Sequence, residues 1–391
     1  MDFSLSEDEE AFRREIRAFL AEHLPADWHG MFVDDPDVMD RTRALCRELA
    51  GRGWLTMSWP EEHGGSSASV WMQTVLREEM WAHDEPRGPQ YMNLNYIGPL
   101  IMRFGTDEQK RRFLPPMARG EVIWCQGFSE PDAGSDLASL RTRADLVDGR
   151  FIVNGQKIWT SYADAPAQWC LLLARSEPDA PKHQGISVLL LDMATPGVTV
   201  RPIPTMAGPH ELNEVFLDDV EVPVDCLLGA PGNGWGIVRT GLAFERVGIA
   251  RYARAGFVLD ALVAHVRARA ADRGEAVDPV VAEKLADLHI RCTAARLVNY
   301  QAIALQAQGA TPVAEAAVAR MHNTQVEQLA GHLGLELLGP EAQLTHDDAQ
   351  APLGGLAWRQ WVRNIPTTVA AGTLETQKNI VARSLGLPRS S

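Results

Sequence analysis

The spacing of apolar residues changes twice along this chain of 391 residues. It follows the helical period in residues 1–120, alternates from one residue to the next in residues 121–228, and returns to the helical period in residues 229–391. A helix buries a stripe with a period of about 3.6 residues and a strand buries every second residue, so one pattern cannot serve both. The sequence therefore predicts an α+β protein with an N-terminal helical domain, a middle β domain and a C-terminal helical domain.

Helix-end signals mark the N-terminal domain. Ser6 and Glu9 form a capping box before the first amphipathic run. Thr106 opens a short helix that we expect to end before Pro115 and Pro116, because a proline has no N–H to donate within a helix. Further helices are predicted at about 38–51, 68–83 and 91–104.

Pairs of turn-forming residues divide the middle domain into strands. Asp148-Gly149 and Asn154-Gly155 are each typical of two-residue hairpin turns, and they enclose a strand at 150–153. Additional strands are predicted at 169–174, 186–192, 198–203 and 214–217. Short strands at this spacing indicate a small β-barrel or sandwich.

Long helical segments fill the C-terminal domain. They are predicted at about 236–272, 279–308, 312–339 and 367–384, with an irregular stretch at 340–356. Four such segments indicate a four-helix bundle. The glycine-rich segment 229–236 before them is not a dinucleotide-binding fingerprint, because its glycine spacing differs and no βαβ unit surrounds it.

Composition excludes several classes of protein. The net charge of −14 and the lack of a block of basic residues argue against a nucleic-acid partner. The five cysteines are scattered without a Cys-x-x-Cys pair, which predicts reduced thiols and no metal site. The N-terminus is acidic, and no apolar stretch approaches the roughly 18 residues of a membrane span, so we expect a soluble, cytoplasmic protein that does not bind membranes.

A polar loop follows the first apolar run of the middle domain. Residues 122–136 read Val-Ile-Trp-Cys-Gln-Gly-Phe-Ser-Glu-Pro-Asp-Ala-Gly-Ser-Asp. Gly134 permits a positive φ and the close approach of a ligand to the backbone, and Ser129 and Ser135 add hydroxyl groups beside exposed N–H groups. This loop favours a polar, phosphate-bearing or flavin-like ligand, although the same turn chemistry is common in loops that bind nothing.

A second motif lies on a strand about twenty residues later. Residues 154–161 read Asn-Gly-Gln-Lys-Ile-Trp-Thr-Ser and end in a flat apolar ring beside two hydroxyl groups. Together the two motifs resemble the flavin-binding middle domain of acyl-CoA dehydrogenases. The resemblance extends over nearly the whole chain, with further matching stretches at 103–115, 213–223 and 372–382.

This resemblance implies FAD, bound non-covalently between the β domain and the helical bundle and reaching a neighbouring subunit. The residues it places around the flavin ring and ribityl chain are Gln126, Ser129, Gly134, Ser135, Trp159, Thr160 and Ser161. Thr373 and Glu375 would lie near the other end of the cofactor. Acyl-CoA would enter the same cleft and contact Ser135, Arg246 and Gly372, and electron-transferring flavoprotein or a similar protein would accept the electrons.

The implied reaction is α,β-dehydrogenation of an acyl-CoA to the 2-enoyl-CoA. A carboxylate removes the α-proton, hydride passes to flavin N5, and a backbone N–H with a ribityl hydroxyl stabilises the enolate. Many members carry the base just before a Gly-Thr pair, but Ala371 stands there. Other members, such as isovaleryl-CoA dehydrogenase, carry it before an Arg on an earlier helix, which here is Glu245 before Arg246. The alternative for Glu245 is a structural ion pair.

Two further departures bear on assembly. Segment 269–279 lacks the Phe-Gly that members usually present to the adenine end of a neighbour's FAD, and the usual Gln-x-x-Gly-Gly is altered at 336–340. Both resemble subunits of α2β2 dehydrogenases that act on bulky acyl-CoAs. A homodimer or homotetramer and an α2β2 heterotetramer therefore stay open. A flavin oxidase or monooxygenase, and a non-catalytic partner subunit, are the alternative functions.

Overall fold

The computed structural model describes residues 3–25, 27–31, 33, 35, 37–164, 167–208, 211–247, 250–370 and 372–387, with the backbone alone for 242–247. The chain forms two compact units. One consists of Met1–Val33, Ser69–Pro86 and Arg246–Ser391, and the other of Asp34–Ala68 and Arg87–Glu245.

The helices occupy the two ends of the sequence. Their bounds are α1 Glu7–His23, α2 Val38–Gly51, α3 Val70–Ala82, α4 Gln90–Met92, α5 Gly98–Phe104, α6 Asp107–Ala118, α7 Gly234–Val247, α8 Arg251–Arg273, α9 Pro279–Ala307, α10 Val313–Leu338, α11 Leu356–Thr367 and α12 Leu374–Ser384. A π-helical turn, Asn93–Ile97, joins α4 to α5. Across the described part of the chain, no helix is both long and apolar enough to cross a membrane.

The strands lie between α6 and α7. Their bounds are β1 Trp124–Gly127, β2 Arg143–Val147, β3 Arg150–Ser161, β4 Trp169–Arg175, β5 Ile186–Asp192, β6 Val198–Pro202, β7 Leu212–Pro223 and β8 Leu227–Leu228. They form an eight-stranded sheet in the order β6-β7-β3-β2-β4-β5-β8, with β1 paired in parallel to β4. The predicted α+β architecture of helices, sheet and helices is confirmed. The domain limits at 120 and 228 stay a prediction, because each of the two compact units combines segments that are distant in the sequence.

Two predictions from short sequence motifs, the capping box and a hairpin turn, are confirmed. Ser6 N–H donates to Glu9 Oε2 at 2.8 Å and Glu9 N–H donates to Ser6 Oγ at 3.3 Å, so the capping box is confirmed. Asp148 and Gly149 have φ of 47° and 77°, which confirms the turn between β2 and β3.

The prediction that a helix ends before Pro115 and Pro116 was wrong. Helix α6 continues to Ala118, because a proline lacks a donor toward the preceding turn but its own carbonyl still accepts. Arg119 N–H donates to Pro115 O at 3.1 Å, and Glu121 N–H donates to Pro116 O at 3.0 Å.

Two of the C-terminal segments differ from their predicted bounds. The segment predicted at 236–272 is two helices, α7 and α8, and the segment predicted at 367–384 is only α12. Helix α11 was missed. Its buried side combines the apolar Leu356, Ala357 and Val362 with the polar Gln360, Asn364 and Thr367.

Asn154-Gly155 is a β-bulge inside β3 and not a hairpin turn. The register of β3 against β7 shifts between Val153 and Gly155. The Asn154 side chain replaces the missing ladder bonds, because its Nδ2 donates to Asp219 Oδ1 at 2.9 Å and its Oδ1 accepts from Asp219 N–H at 2.8 Å. A Cβ on Gly155 would lie 2.5 Å from Thr142 Oγ1, so a glycine is required.

The π-helical turn has a clear physical cause. Its extra residue lets Gly98 N–H donate to Asn93 O, five residues back. This leaves the carbonyl of Leu94 without its α-helical donor, and the buried indole Nε1–H of Trp59 donates to it at 2.9 Å. Trp59 therefore holds the irregular turn, and the turn carries Tyr96 into the core of its unit.

We expect Trp59→Phe to remove this hydrogen bond and leave Leu94 O unsatisfied, which costs about 1–3 kcal/mol of unfolding free energy. Trp124→Phe is the matched control, because Trp124 is equally buried and its Nε1 has no hydrogen-bond partner among the described residues. Chemical denaturation should show a greater loss for Trp59→Phe. Equal losses of unfolding free energy would mean that Trp59 contributes through packing and that its hydrogen bond to Leu94 O adds nothing.

Candidate functional site

The structure brings the two sequence motifs together at one end of the sheet. Gln126 is the half-buried residue of the otherwise buried β1, and the loop that follows crosses to β3, where Ser129 O accepts from Ile158 N–H at 2.9 Å. Gly134 and Ser135 lie exposed in the same loop. Two stretches that are about twenty residues apart in the chain are therefore neighbours.

A buried ion pair fastens the loop to the strand. Lys157 of β3 is 0% exposed, and its Nζ lies 2.7 Å from Glu130 Oε1 in the loop and 3.2 Å from Phe128 O. The carboxylate of Glu130 also accepts from Thr142 Oγ1 at 2.6 Å and from the N–H groups of Arg141 and Thr142 at 2.6 and 2.9 Å. Four hydrogen bonds on one carboxylate fix the loop between the predicted flavin residues Ser129 and Gly134.

These contacts control the charge of Glu130. Burial alone would raise the pKa of its carboxyl group, but Lys157, Thr142 and the N–H of Arg141 outweigh burial and hold that pKa below its usual value. Burial lowers the pKa of Lys157, and Glu130 opposes this shift. Because the carboxylate is fully hydrogen-bonded, the charged pair is the form that the site stabilises.

A second bulge turns the end of β3 outward. The register against β7 shifts between Lys157 and Thr160, and Trp159 between them has a φ of 60°. As a result Trp159 is 56% exposed, whereas Thr160 is fully buried and Ser161 is exposed again. An exposed tryptophan held in a strained backbone presents a flat apolar surface for a ligand.

The same region contains buried polar atoms without partners. Gln126 Nε2 and Thr160 Oγ1 are both buried, and neither finds a hydrogen-bond partner within the described residues. Buried polar groups are normally satisfied, so these two atoms are available as hydrogen-bond partners for a polar ligand. A flavin, with polar edges and a flat ring, fits this set of residues.

The expected backbone of Gly134 needs a correction. Its φ is not positive, so the turn does not demand glycine. A Cβ at this position would meet nothing within 4 Å. A ligand that approaches the backbone closely requires such open space. The close approach of a ligand to Gly134 stays a prediction.

Helix α7 carries the predicted base, Glu245, and Arg246. Their side chains lie outside the described residues. Gly241, one helical turn before Glu245, is in close contact with the π-helical turn: a Cβ there would lie 2.6 Å from the ring of Tyr96. Tyr96 also meets Phe128 of the loop after β1 edge to face, with ring centroids 6.1 Å apart.

The remaining predicted residues belong to the other compact unit. Thr373 caps α12, with its Oγ1 accepting from Thr376 N–H at 3.2 Å, and Glu375 is exposed in the first turn. Gly372 O accepts from the buried side chain of Gln377 at 3.4 Å. Ala371 lies outside the described residues.

Sequence reasoning missed Glu130, Lys157, Tyr96 and Phe128 as site residues. The lysine carried a usable signal, because it stands at an inward position of a strand in a chain with only five lysines. A buried lysine needs a carboxylate partner. Tyr96 gave no such signal, because its position follows from the π-helical turn.

Three family models match successive parts of the chain. They are described as the N-terminal, middle and C-terminal domains of acyl-CoA dehydrogenase and match residues 6–121, 125–220 and 232–386. Among curated relatives, the acyl-CoA dehydrogenase IpdE1 of Mycobacterium tuberculosis is 35% identical over 401 aligned residues, which cover 98% of this chain and 99% of that protein.

Solved structures give the same result. The Tcur3481-Tcur3483 steroid ACAD has a TM-score of 0.90 and 31% identity, and the match covers 100% of both chains. The ChsE4-ChsE5 complex from Mycobacterium tuberculosis has a TM-score of 0.88 and 32% identity, again over 100% of both chains.

The ion pair predicts an acid-sensitive step in flavin binding. The folded pKa of Glu130 is depressed, so its contribution is present above the ordinary glutamate pKa of about 4.3 and is lost as the pH falls through the folded value. Flavin fluorescence should rise as the loop releases the cofactor in this acidic range.

The control is the double variant Glu130→Gln/Lys157→Met, which replaces the pair by neutral groups of similar size. It should bind flavin more weakly at neutral pH and lack the acid step assigned to the pair. Release at the same pH in both proteins would contradict a role for this ion pair.

Proposed function

This chain belongs to the acyl-CoA dehydrogenase family, whose members are FAD-dependent oxidoreductases, and from that premise we propose that it converts an acyl-CoA to the 2-enoyl-CoA with Glu245 as the base. The observation that carries the proposal is the joining of the two motifs: the Glu130–Lys157 pair holds the loop 126–136 beside the bulged end of β3. FAD supplies the acceptor for the hydride that leaves the β-carbon.

The loop and strand residues would bind and orient the cofactor. Gln126 Nε2 and Thr160 Oγ1 offer a donor and a hydroxyl from buried positions, and the exposed Trp159 ring offers a stacking surface. Ser129, Ser135 and Ser161 complete the polar contacts, with Ser135 shared between the cofactor and the substrate. Thr373 and Glu375, at the start of α12, would contact the other end of FAD.

Glu245 would move the α-proton from the thioester to its carboxylate. Its sequence neighbours Phe244 and Val247 are apolar, and a carboxylate in a dry pocket has a raised pKa that suits a general base. Arg246 would contact the CoA moiety. The packing of Gly241 on Tyr96 fixes the backbone of α7 one turn earlier, which supports a defined position for the base.

The thioester oxygen gains negative charge as the proton leaves. Backbone N–H groups around Gly372 would donate to the thioester oxygen. In enzymes that stabilise an oxyanion, removal of one such donor typically lowers the rate about 10²–10³-fold. At position 371, where many family members carry the base, this chain has an alanine, which lacks a carboxylate but keeps a backbone N–H. Removal of the proton and stabilisation of the enolate would therefore fall on different elements.

We also propose a bulky acyl group and a heteromeric assembly. One structural neighbour is described as the Tcur3481-Tcur3483 steroid ACAD, and another as the ChsE4-ChsE5 complex. The altered segments 269–279 and 336–340 support the same proposal from the sequence. Electron-transferring flavoprotein is the proposed electron acceptor.

Glu245→Gln tests the base. Because glutamine cannot take the proton, we expect kcat/KM to fall about 10²–10⁴-fold while flavin content stays unchanged. Bleaching of the flavin by an acyl-CoA panel under nitrogen is the measurement. Glu221→Gln, at an exposed carboxylate paired with Arg150, is the control and should retain full activity.

Intact turnover in Glu245→Gln would place the base elsewhere. Oxygen consumption by the wild-type protein without an added acceptor would instead favour an oxidase or monooxygenase. A flavin that no acyl-CoA bleaches would favour a non-catalytic partner subunit.

Assembly is tested by the mass and flavin content of the purified chain. Because segment 269–279 lacks the usual adenine contacts, we expect less than one FAD per chain when it is produced alone. Co-production with a second acyl-CoA dehydrogenase chain should give a four-chain mass and restore the flavin. One FAD per chain in a homodimer or homotetramer would contradict the heteromer.

A further inference from the structure

The end of β3 carries two residues between two strained backbone positions. Trp159 and Tyr162 have φ of 60° and 59°, in the left-handed region that bulky side chains rarely adopt. Thr160 and Ser161 between them still pair with β7. Such strain persists only where the surrounding structure holds the backbone, so this short segment needs contacts that fix it.

Asn213 of β7 supplies such a contact. It lies opposite Thr160 in the sheet and is 0% exposed. Its Nδ2 donates to Thr160 O at 3.1 Å and to Glu211 O at 3.4 Å. Because two carbonyl oxygens can be bridged only by a donor, the side-chain amide has one possible orientation there. Asn213 therefore clamps the first residue of β3 that pairs with β7 after the bulge.

The pairing of β3 with β7 shows which way the peptide group after Thr160 faces. Tyr162 N–H donates to Glu211 O at 2.7 Å, and residues two apart on a strand face the same neighbour, so the backbone groups of Thr160 also face β7. The carbonyl of Thr160 and the N–H of Ser161 belong to one planar trans peptide group and point in opposite directions. The Ser161 N–H therefore points away from β7, and no described residue accepts from it.

We propose that Asn213 is a positioning residue for the flavin: by holding the carbonyl of Thr160, it directs the N–H of Ser161 toward the cofactor. The inference rests on the proposed function, which assigns Ser161 to the flavin. A hydrogen bond is stronger when its acceptor carries negative charge, and a reduced flavin ring is richer in electrons than an oxidised one. Asn213 therefore increases the affinity for FAD, and it increases it more for the reduced form.

The first bulge of β3 provides a matched control. Asn154 stabilises that bulge by binding Asp219 with both ends of its amide, and it lies six residues before Thr160. At about 3.3 Å per residue, the two clamped positions are roughly 20 Å apart along the strand. Asn154→Leu therefore removes a bulge contact from the same strand without touching the candidate site.

The experiment measures the affinity for FAD, by fluorescence titration of flavin-free protein, and the midpoint potential of the bound flavin, by reduction against a dye of known potential. Asn213→Leu removes the donor at similar size and should bind oxidised FAD about tenfold more weakly. Its potential should fall by about 30 mV, which corresponds to a further tenfold loss of affinity for the reduced form. Asn154→Leu should lose stability and leave the potential unchanged.

An unchanged potential in folded Asn213→Leu would overturn the inference, whether or not FAD binds more weakly, and so would equal shifts in both variants. If Asn213→Leu does not fold, Asn213→Ala is measured in its place by the same criteria. Neither measurement uses a substrate. A wild-type flavin that no acyl-CoA bleaches would contradict the proposed function, and the potentials of the variants would still decide the role of Asn213.

Discussion

The contact between Lys157 and Glu130 is the interaction on which the candidate site depends. A lysine that is fully removed from water costs several kcal/mol unless a hydrogen-bonded carboxylate accompanies it. The loop after β1 supplies that carboxylate, and Thr142 and backbone N–H groups complete its hydrogen bonds. The pair therefore selects one arrangement of loop and strand, and that arrangement places Gln126, Trp159 and Thr160 together.

The other compact unit uses the same device. Glu78 of α3 is buried and accepts from the hydroxyl groups of Tyr252 and Tyr300 at 2.7 and 2.9 Å, and Arg13 pairs with it at 2.5 Å. Burial, reinforced by Glu78, raises the pKa of both tyrosines, so they remain donors. This single carboxylate joins α1, α3, α8 and α9, four helices that come from distant parts of the sequence.

Irregular backbone recurs wherever the candidate site needs an unusual side-chain direction. The bulge before Thr160 turns Trp159 outward, and the π-helical turn aims Tyr96 at both Gly241 and Phe128. Each irregularity is stabilised by a buried polar contact, with Trp59 bonding the free carbonyl of Leu94 and Asn213 Nδ2 donating to Thr160 O at 3.1 Å. Strain at these positions is thus distributed over the surrounding core.

The sequence by itself determined the order of helices and strands, the capping box at Ser6, the turn at Asp148-Gly149 and the family, because each depends on residues that are close together in the chain. It misread Asn154-Gly155 as a turn, because the distant Asp219 satisfies Asn154 there, and it misread Pro115 as a helix end, because the carbonyl of a proline still accepts from the following turn. Only the tertiary structure decided that Lys157 meets Glu130, that Tyr96 packs on Gly241 and that Asn213 holds Thr160. Each of these contacts joins residues at least 27 positions apart, and no local period or turn preference encodes which buried polar groups must satisfy one another.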